Sequence, residues 1–290
     1  MHELTLHEIQ QESLKVLLKL DALCRELNIR YFLAFGTLIG AIRHNGFIPW
    51  DDDIDVMMLR KDYQILKNYM DAHADEMRPF RICDRTNTKN YSASIPRFVN
   101  TDFTFRTRNP GEKQFSLGVF VDIYPLDFYG KSEKAARRLK RRTMFLDRLY
   151  IISINPSNGK KSVKNLMRIL ASGIAKAYLS LHNIKKIGMD TYLYNLIQKR
   201  TSESDPLIGV VAGDNSGGYF SFPSDFFNGV IEHEFERHPL MIPARYDECL
   251  KKYYGDYMKI PPESERVPHH NYSIYRNDAM TPIIHEGGSN

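Results

Sequence analysis

A run of aspartates inside an apolar stretch constrains this chain more than any other feature. Trp50-Asp51-Asp52-Asp53-Ile54-Asp55 lies between Phe47-Ile48-Pro49 and Val56-Met57-Met58. Buried carboxylates are costly unless they are paired or hold a cation. The apolar flanks therefore argue against a freely exposed acidic loop and favour a built polar site.

Asp53 and Asp55 are the predicted metal ligands of this run. Residues 54–59 have the composition of a strand, and side chains at positions i and i+2 of a strand point to the same face. Two carboxylates held side by side repel each other unless a cation lies between them. Mg²⁺ prefers carboxylate oxygens and substrate phosphates, so Mg²⁺ is the expected cofactor and Mn²⁺ the alternative. Asp51 and Asp52 are expected to shape the loop or to support the metal ligands without binding the metal themselves.

Gly36-Thr37 is the predicted phosphate-binding element. Residues 29–35 predict a buried strand that ends at Gly36, and residues 37–43 predict a short helix directly after it. The first turn of a helix has backbone N–H groups free for a phosphate, and the threonine hydroxyl adds a donor. Arg43, at the end of this helix, suits a phosphate oxygen. His44 follows it as a candidate proton carrier or phosphate ligand.

Asp122 is the third predicted metal ligand. It stands alone between apolar residues in the strand-like run 118–127. Sharing a metal with Asp53 and Asp55 would offset the cost of burying its charge, whereas the alternative is an aspartate that is hydrogen-bonded in a turn. Asp127 is a less favoured substitute because Pro125 indicates that the strand has already ended.

The remaining patterns predict a mixed α+β protein. Helices are expected at 5–28 and 60–74, and strands at 80–83, 91–99 and 102–105. We expect a catalytic core in residues 1–130, a basic helical insertion in residues 131–200, and a C-terminal region, 201–290, that completes the core and the substrate site. A loop is expected at 155–159, and a disordered tail at 287–290.

Positive charge is concentrated in one segment. Residues 131–200 hold 17 lysines and arginines against 3 acidic residues. Two helices with basic and apolar faces are predicted there, with Leu166, Ile169, Leu170, Ile174 and Tyr178 near helical spacing. Such helices suit an anionic membrane surface. The alternative is a solvated basic face whose apolar stripe packs on the core, and nucleic acid is not an expected partner.

Cysteine usage and hydropathy point to the cytoplasm. Cys24, Cys83 and Cys249 are far apart and form no CxxC pair, so neither a disulfide framework nor a zinc site is expected. The N-terminus does not resemble a signal peptide, and no apolar run is long enough to cross a bilayer. We therefore expect a cytoplasmic protein, with peripheral contact at the inner membrane face as a further possibility.

The segment 36–56 closely resembles the signature of the LicD family. Shorter matches include Arg60 with Asp62-Tyr63, the block 120–127, the segment 254–258, and Pro261-Pro262 with Arg266 and His269. The resemblance implies a nucleotidyltransferase-type fold related to fukutin and fukutin-related protein. It also implies transfer of phosphocholine from CDP-choline to a sugar hydroxyl of a cell-surface glycopolymer precursor, of the teichoic acid or lipopolysaccharide type, with release of CMP.

The resemblance also implies roles for individual residues. Gly36 and Thr37 match a phosphate-cradling turn, while Asp53, Asp55 and Asp122 match metal-binding carboxylates. Trp50 is a candidate choline contact, although a core position is the more ordinary role for a lone tryptophan. Arg266 and His269 are candidate substrate contacts.

Three competing functions remain open. One is transfer from another CDP-linked polyol, and another is a nucleotidyltransferase, since the same metal site would serve both. The third is a non-catalytic scaffold adsorbed to a membrane through the basic segment. The lipid-linked acceptor that the resemblance implies would also bring an enzyme to the inner membrane face.

Overall fold

The computed structural model describes residues 2–88, 91–108, 117–154, 162–210, 221–268 and 272–277. The strands are β1 (His2–Glu3), β2 (Phe32–Leu33), β3 (Asp55–Leu59), β4 (Phe80–Cys83), β5 (Arg97–Asn100), β6 (Phe103–Thr107), β7 (Val119–Gly130), β8 (Leu207–Gly209), β9 (Phe222–Pro223), β10 (Val230–Phe235), β11 (His238–Pro243) and β12 (Tyr272–Arg276). The helices are α1 (Leu6–Glu26), α2 (Phe35–His44), α3 (Arg60–Ala72), α4 (Glu133–Ile154), α5 (Val163–Leu181), α6 (Ile184–Ile187), α7 (Met189–Gln198) and α8 (Tyr246–Tyr254).

A mixed sheet forms the centre of the fold. Its main path runs β2-β3-β7-β5-β4, and β8 and β9 extend it beside the second half of β7. The central strands β3 and β7 are parallel, and Asp55 is paired in register with Asp122. On the other side of β7, antiparallel β5 places Arg97 opposite the same Asp122. Three charged residues from separate parts of the chain thus meet on adjacent strands.

Apolar side chains cover both faces of this sheet. Val56 and Met58 belong to a large cluster that includes Leu17 and Leu20 of α1. Met57 belongs to a second cluster on the opposite face. This arrangement is a mixed α/β architecture, so the predicted fold class is confirmed. The division of the chain into three regions stays a prediction.

α1 starts with a capping box in which Thr5 and Glu8 satisfy each other's backbone N–H groups. Its buried positions recur at helical spacing and pack against the sheet. Two further small sheets lie outside the central one, with the strand orders β1-β12-β6 and β10-β11. β12 therefore brings residues close to the C-terminus back against the N-terminal strand.

Three strand predictions need correction. Of the predicted strand at 91–99, only residues 97–99 belong to a strand, β5. The predicted strand at 29–35 is only β2, because α2 begins at Phe35 and places Gly36 and Thr37 inside its first turn. β7 continues through Pro125, so the expectation that the strand ends there is wrong. β5 pairs with β7 up to Asp122, and β8 pairs with it from Asp127 onward. Pro125 lies in the interval between these partners, where its missing N–H interrupts no antiparallel ladder.

The basic segment is helical, from α4 to α7. Its own core includes Leu146, Leu179 and Leu193. The alternative in which the stripe of α5 packs on the core is wrong, because Leu166 and Ile174 are 58% and 71% exposed. No helix within the described ranges is both long and apolar enough to cross a membrane. The predicted loop at 155–159 and the predicted tail at 287–290 lie outside the described residues.

Candidate active site

Three carboxylates converge at the edge where β3 begins. Asp53 lies two residues before Asp55, the first residue of the strand, and Asp122 lies opposite Asp55 on β7. One oxygen from each side chain lies within 4.8 Å of the other two. The structure therefore brings together the three residues that the sequence predicts as metal ligands.

Asp55 is buried and carries an unsatisfied oxygen. Among the described residues, its Oδ1 has no hydrogen-bond partner, and such orphaned acceptors are rare in protein interiors. Burial raises the pKa of Asp55 well above its usual value, and the charges of Asp53, Asp122 and Asp51 raise it further. An orphaned oxygen among three hard donors fits Mg²⁺ or Mn²⁺, because a cation would satisfy the oxygen and offset the repulsion.

Arg97 is a member of this site that the sequence reasoning missed. Its Nε donates to Asp122 Oδ1 at 2.5 Å, and its second donor lies 3.4 Å from Oδ2. The guanidinium lies over the Phe120 ring, 4.0 Å from the centroid. Arg97 has the same sequence signal as Asp122, a single charge between apolar residues in a strand. The burial cost of Asp122 is therefore offset by an ion pair as well as by any metal.

Thr37 orients the cluster. Its Oγ1 accepts a hydrogen bond of 2.9 Å from the backbone N–H of Asp55, in a buried setting. This bond ties the first turn of α2 to the first residue of β3. Gly36 lies against Asp51, because a Cβ at position 36 would lie 2.6 Å from Asp51 Oδ2. Phosphate binding by Gly36 and Thr37 stays a prediction.

The chain enters α2 through an unusual backbone conformation. Phe35 has a φ of 47°, which is uncommon for a bulky residue because its Cβ crowds the backbone. Its ring packs edge-on against Tyr124 and Tyr253, with centroid distances of 4.8 and 4.9 Å. These contacts hold Phe35 in place beside the carboxylates, as expected where local strain is stabilised by its surroundings.

The loop before β3 is fixed by residues from both ends of the chain. Gln10 of α1 donates to the carbonyl oxygen of Asp51 at 2.9 Å. Tyr272 of β12 donates its hydroxyl to the carbonyl oxygen of Asp52 at 2.8 Å. The side chains of Asp51 and Asp52 are both buried. These contacts fix the backbone of the loop, and the roles of the Asp51 and Asp52 side chains stay a prediction. Asp51, Asp52 and Asp53 also lie close enough to share a cation.

A cleft of about 420 Å³ opens in front of Asp53 and Asp55. Residues 254–261, called here the C-terminal wall, contribute Tyr254, Asp256 and Tyr257 to its lining. Arg43 joins this wall to α2, because its Nη1 donates to the carbonyl oxygens of Tyr257 and Lys259 at 2.9 and 3.3 Å. The predicted phosphate-binding arginine thus lines the cleft and also positions the wall opposite.

The other predicted substrate contacts either lie beside this cleft or belong to the part of the chain outside the described residues. Trp50 lines the cleft, and the guanidinium of Arg266 lies 5.5 Å from its ring centroid. The His44 ring makes an edge contact with Trp50 at 6.4 Å, and burial beside Arg43 lowers the pKa of His44. His269 lies outside the described residues.

Asp127 has a different partner. It is buried on β7 and accepts two hydrogen bonds from Arg60, at 2.9 and 2.6 Å. This bidentate pair occupies both of its oxygens. Asp127 is therefore a structural carboxylate, which agrees with its low ranking as a metal ligand, although the reason is Arg60 and not the end of the strand.

Comparison with known proteins places this geometry in a family. Residues 28–146 match the family described as "LicD/FKTN/FKRP, nucleotidyltransferase domain". An uncharacterised protein of Rickettsia prowazekii is 28% identical over 134 residues, which cover 43% of this chain and 46% of that protein. The lipopolysaccharide cholinephosphotransferase LicD of Haemophilus influenzae is 33% identical over 284 residues, which cover 95% of this chain and 99% of the relative. The matched segment holds all three converging carboxylates, and the chain belongs to the LicD family.

Proposed function

We propose that this protein transfers phosphocholine from CDP-choline to a sugar hydroxyl of a cell-surface glycopolymer precursor. A lipopolysaccharide is the favoured acceptor class because the relative from Haemophilus influenzae carries that name, and a teichoic acid precursor is the alternative. The sugar oxygen forms a bond to the choline-bearing phosphorus. The bond from that phosphorus to the bridging oxygen breaks, CMP leaves with the electron pair, and the hydroxyl proton goes to a base.

The observation that carries this proposal is the Asp53, Asp55 and Asp122 cluster at the edge of an open cleft. Such a cluster would hold Mg²⁺ or Mn²⁺. A divalent ion supplies charge neutralisation to a diphosphate and to the charge that develops on the transferred phosphoryl group. The orphaned Oδ1 of Asp55 supports this assignment.

The protein groups around the cluster have separate tasks. Gly36 and Thr37 present the first turn of α2 to phosphate oxygens. Arg43 borders the cleft and adds positive charge there. Asp122 Oδ2, the oxygen that Arg97 holds less closely, is the proposed acceptor of the hydroxyl proton.

The choline cation needs a wall of aromatic rings or carboxylates. Tyr254, Tyr257 and Asp256 of the C-terminal wall border the cleft and offer both. Trp50 also borders it, but Arg266 already lies over its ring. The favoured choline contacts are therefore in the C-terminal wall, and Trp50 with Arg266 forms the edge of the cleft.

The reaction is expected in the cytoplasm, at the inner face of the membrane if the acceptor is lipid-linked. The cleft and the carboxylate cluster disfavour a purely non-catalytic scaffold, which would need neither. Another CDP-linked donor would use the same cluster. Incubation of the protein with CDP-choline, CDP-ribitol or CDP-glycerol and the acceptor, followed by mass spectrometry, distinguishes these donors by the mass added to the product.

Asp53→Asn tests the metal role directly. We expect the variant to fold normally and to lose transfer by about a thousandfold, because one ligand charge is lost where transition-state charge must be compensated. Asp75→Asn is the matched control, since Asp75 is an exposed surface residue whose side chain is 92% accessible. Substantial transfer by folded Asp53→Asn would contradict the metal role. Failure of the wild-type protein to use CDP-choline with any of these acceptors would contradict the proposed donor.

A further inference from the structure

α5 packs on the protein through its small and polar side. Its buried residues are Asn165, Ser172, Ala175 and Leu179, which recur at spacings of one helical face. Ser172 donates to the carbonyl oxygen of Ser153 on α4 at 3.2 Å. A surface helix normally buries its large apolar residues, so α5 is oriented opposite to the usual arrangement.

The large apolar residues of α5 point outward. Val163, Leu166, Met167, Leu170, Ile174 and Leu181, called here the α5 apolar face, are between 58% and 82% exposed. They fall on the side of the helix opposite to Ser172 and Leu179 at a rotation of 100° per residue. Single exposed apolar residues are ordinary, but a continuous row of this kind marks a binding surface.

α4 extends this surface and adds charge to it. Phe145 and Ile152 are 51% and 40% exposed, and the Phe145 ring makes an edge contact with Tyr178 of α5 at 5.9 Å. Arg141 and Arg148 are exposed on the same outer side of α4 as these two residues. The surface therefore combines an apolar row with an excess of basic side chains.

We propose that the α5 apolar face inserts into the interfacial region of an anionic lipid bilayer, while Arg141 and Arg148 of α4 contact the lipid headgroups. A helix with a basic polar side and an exposed apolar side binds in the plane of such an interface. Each basic residue close to an anionic leaflet adds to the attraction. No described helix is long and apolar enough to span a bilayer, and an interfacial helix needs no such length.

Charge complementarity favours a bilayer over a second copy of the chain. Residues 131–200 carry 17 basic and 3 acidic residues, so two copies meeting through this surface would bring like charges together. An anionic bilayer accepts both the apolar row and the positive charge. The inference goes beyond the proposed reaction, because lipid binding by α5 requires neither a donor nor a metal.

Vesicle flotation with the full-length protein tests the proposal. The probes are vesicles of phosphatidylcholine alone and vesicles with about 30 mol% phosphatidylglycerol, a composition that provides a negative surface potential. We expect the wild-type protein to float with the anionic vesicles and to stay largely unbound with the neutral ones. Binding should weaken as salt concentration increases, because surface electrostatics are screened.

Variants separate the apolar and electrostatic contributions. Leu166→Ser with Leu170→Ser and Ile174→Ser should weaken binding by at least about tenfold, because apolar area no longer leaves water. Ile65→Ser with Ile231→Ser is the matched control at exposed positions of α3 and β10, and it should bind as the wild type does.

The double variant Arg141→Gln with Arg148→Gln tests the electrostatic contribution to vesicle binding. Loss of both arginines should weaken binding by about fivefold per charge. Lys61→Gln with Lys252→Gln removes two exposed charges from α3 and α8 and is expected to have little effect. Circular dichroism of each variant confirms that the fold is retained.

Two results would overturn the proposal. One is failure of the wild-type protein to bind anionic vesicles. The other is binding that the α5 variant and its control retain equally. If the first result comes with a dimer in sedimentation velocity that the α5 substitutions dissociate, this surface is assigned to a second copy of the chain. Because flotation requires no turnover, its failure is distinguishable from failure of the proposed transfer reaction.

Discussion

Replacing Asp55 with asparagine is the sharpest test of the carboxylate cluster, because asparagine keeps the shape of the side chain and removes its charge. The oxygens of Asp53, Asp55 and Asp122 lie within 4.8 Å of one another. At an effective dielectric constant of about 20, two charges at that distance repel by about 3.5 kcal/mol. Arg97 offsets part of this energy at Asp122.

We therefore expect Asp55→Asn to stabilise the metal-free protein by about 1–3 kcal/mol. In a chain of this size that gain corresponds to a rise in Tm of about 5 °C. The assay is thermal unfolding in EDTA, followed by the same measurement in Mg²⁺. A cation that binds only the folded wild-type protein adds about 2.7 kcal/mol at a hundredfold excess over its Kd, and Asp55→Asn should lose most of this gain.

Asp127→Asn is the matched control on the same sheet. Asp127 is also buried, but it is paired with Arg60 through two hydrogen bonds. Breaking this pair leaves a buried guanidinium without its partner, so the free energy of unfolding should fall by about 3–5 kcal/mol. The loss should be the same in EDTA and in Mg²⁺, because Asp127 lies outside the cluster.

The effect of Asp55→Asn on the free energy of unfolding should change with pH in one direction. The folded-state pKa of Asp55 is raised above 3.8, so the folded state holds the proton more tightly than the unfolded state does. Without metal, wild-type stability should therefore fall as pH rises from about 3.8 through the raised pKa. The Asp55→Asn protein lacks this loss, so its free energy of unfolding should exceed that of the wild type by an increasing amount over that range. An Asp55→Asn protein that is less stable than wild type in EDTA, with a wild-type Tm indifferent to Mg²⁺ and Mn²⁺, would refute the cation site.

Three further substitutions test the supporting contacts. Arg97→Met should lower the free energy of unfolding by about 3–5 kcal/mol, because Asp122 loses its partner, and Mg²⁺ should restore part of the loss; denaturant titration with and without Mg²⁺ measures both effects. Gly40→Ala should destabilise by about 1–3 kcal/mol, because its Cβ would lie 2.4 Å from the Gly46 carbonyl oxygen, and thermal unfolding measures it. Arg43→Ala should raise the KM for the donor and speed hydrogen exchange in the C-terminal wall, which loses its bonds to α2; unchanged exchange would contradict the positioning role.

The three converging carboxylates were predictable because local sequence already showed the conflict that they create. An aspartate between apolar residues has to find a partner, and this holds for both Asp55 and Asp122. The sequence did not predict that Asp55 and Asp122 lie side by side, because parallel strands are joined by long crossover connections that leave no local signal of register. Arg97 carried the same signal in a third strand, and pairing each buried charge with one of opposite sign would have identified it.

Phe35 and α5 show what the sequence leaves undetermined. The glycine at position 36 predicts a turn, but the left-handed φ belongs to Phe35, where ring contacts from distant residues hold it. On α5, the apolar periodicity predicts a stripe without saying which way it points. The orientation of α5 follows from the opposite side of the helix, because Asn165, Ser172 and Ala175 are buried there and are small enough to pack closely on α4.

The charges of the cluster explain why a site built this way can fold before it binds a cation. Asp53, Asp55 and Asp122 carry three negative charges when ionised, and Arg97 contributes one positive charge. Burial raises the pKa of Asp55, so a proton bound there would relieve part of the remaining repulsion in the metal-free protein. A divalent ion would replace that proton and balance the charge that Arg97 leaves. The charge of Arg97 therefore affects both the stability of the metal-free protein and its affinity for a cation. A neutral residue at position 97 should make the metal-free protein less stable and make it depend more on Mg²⁺.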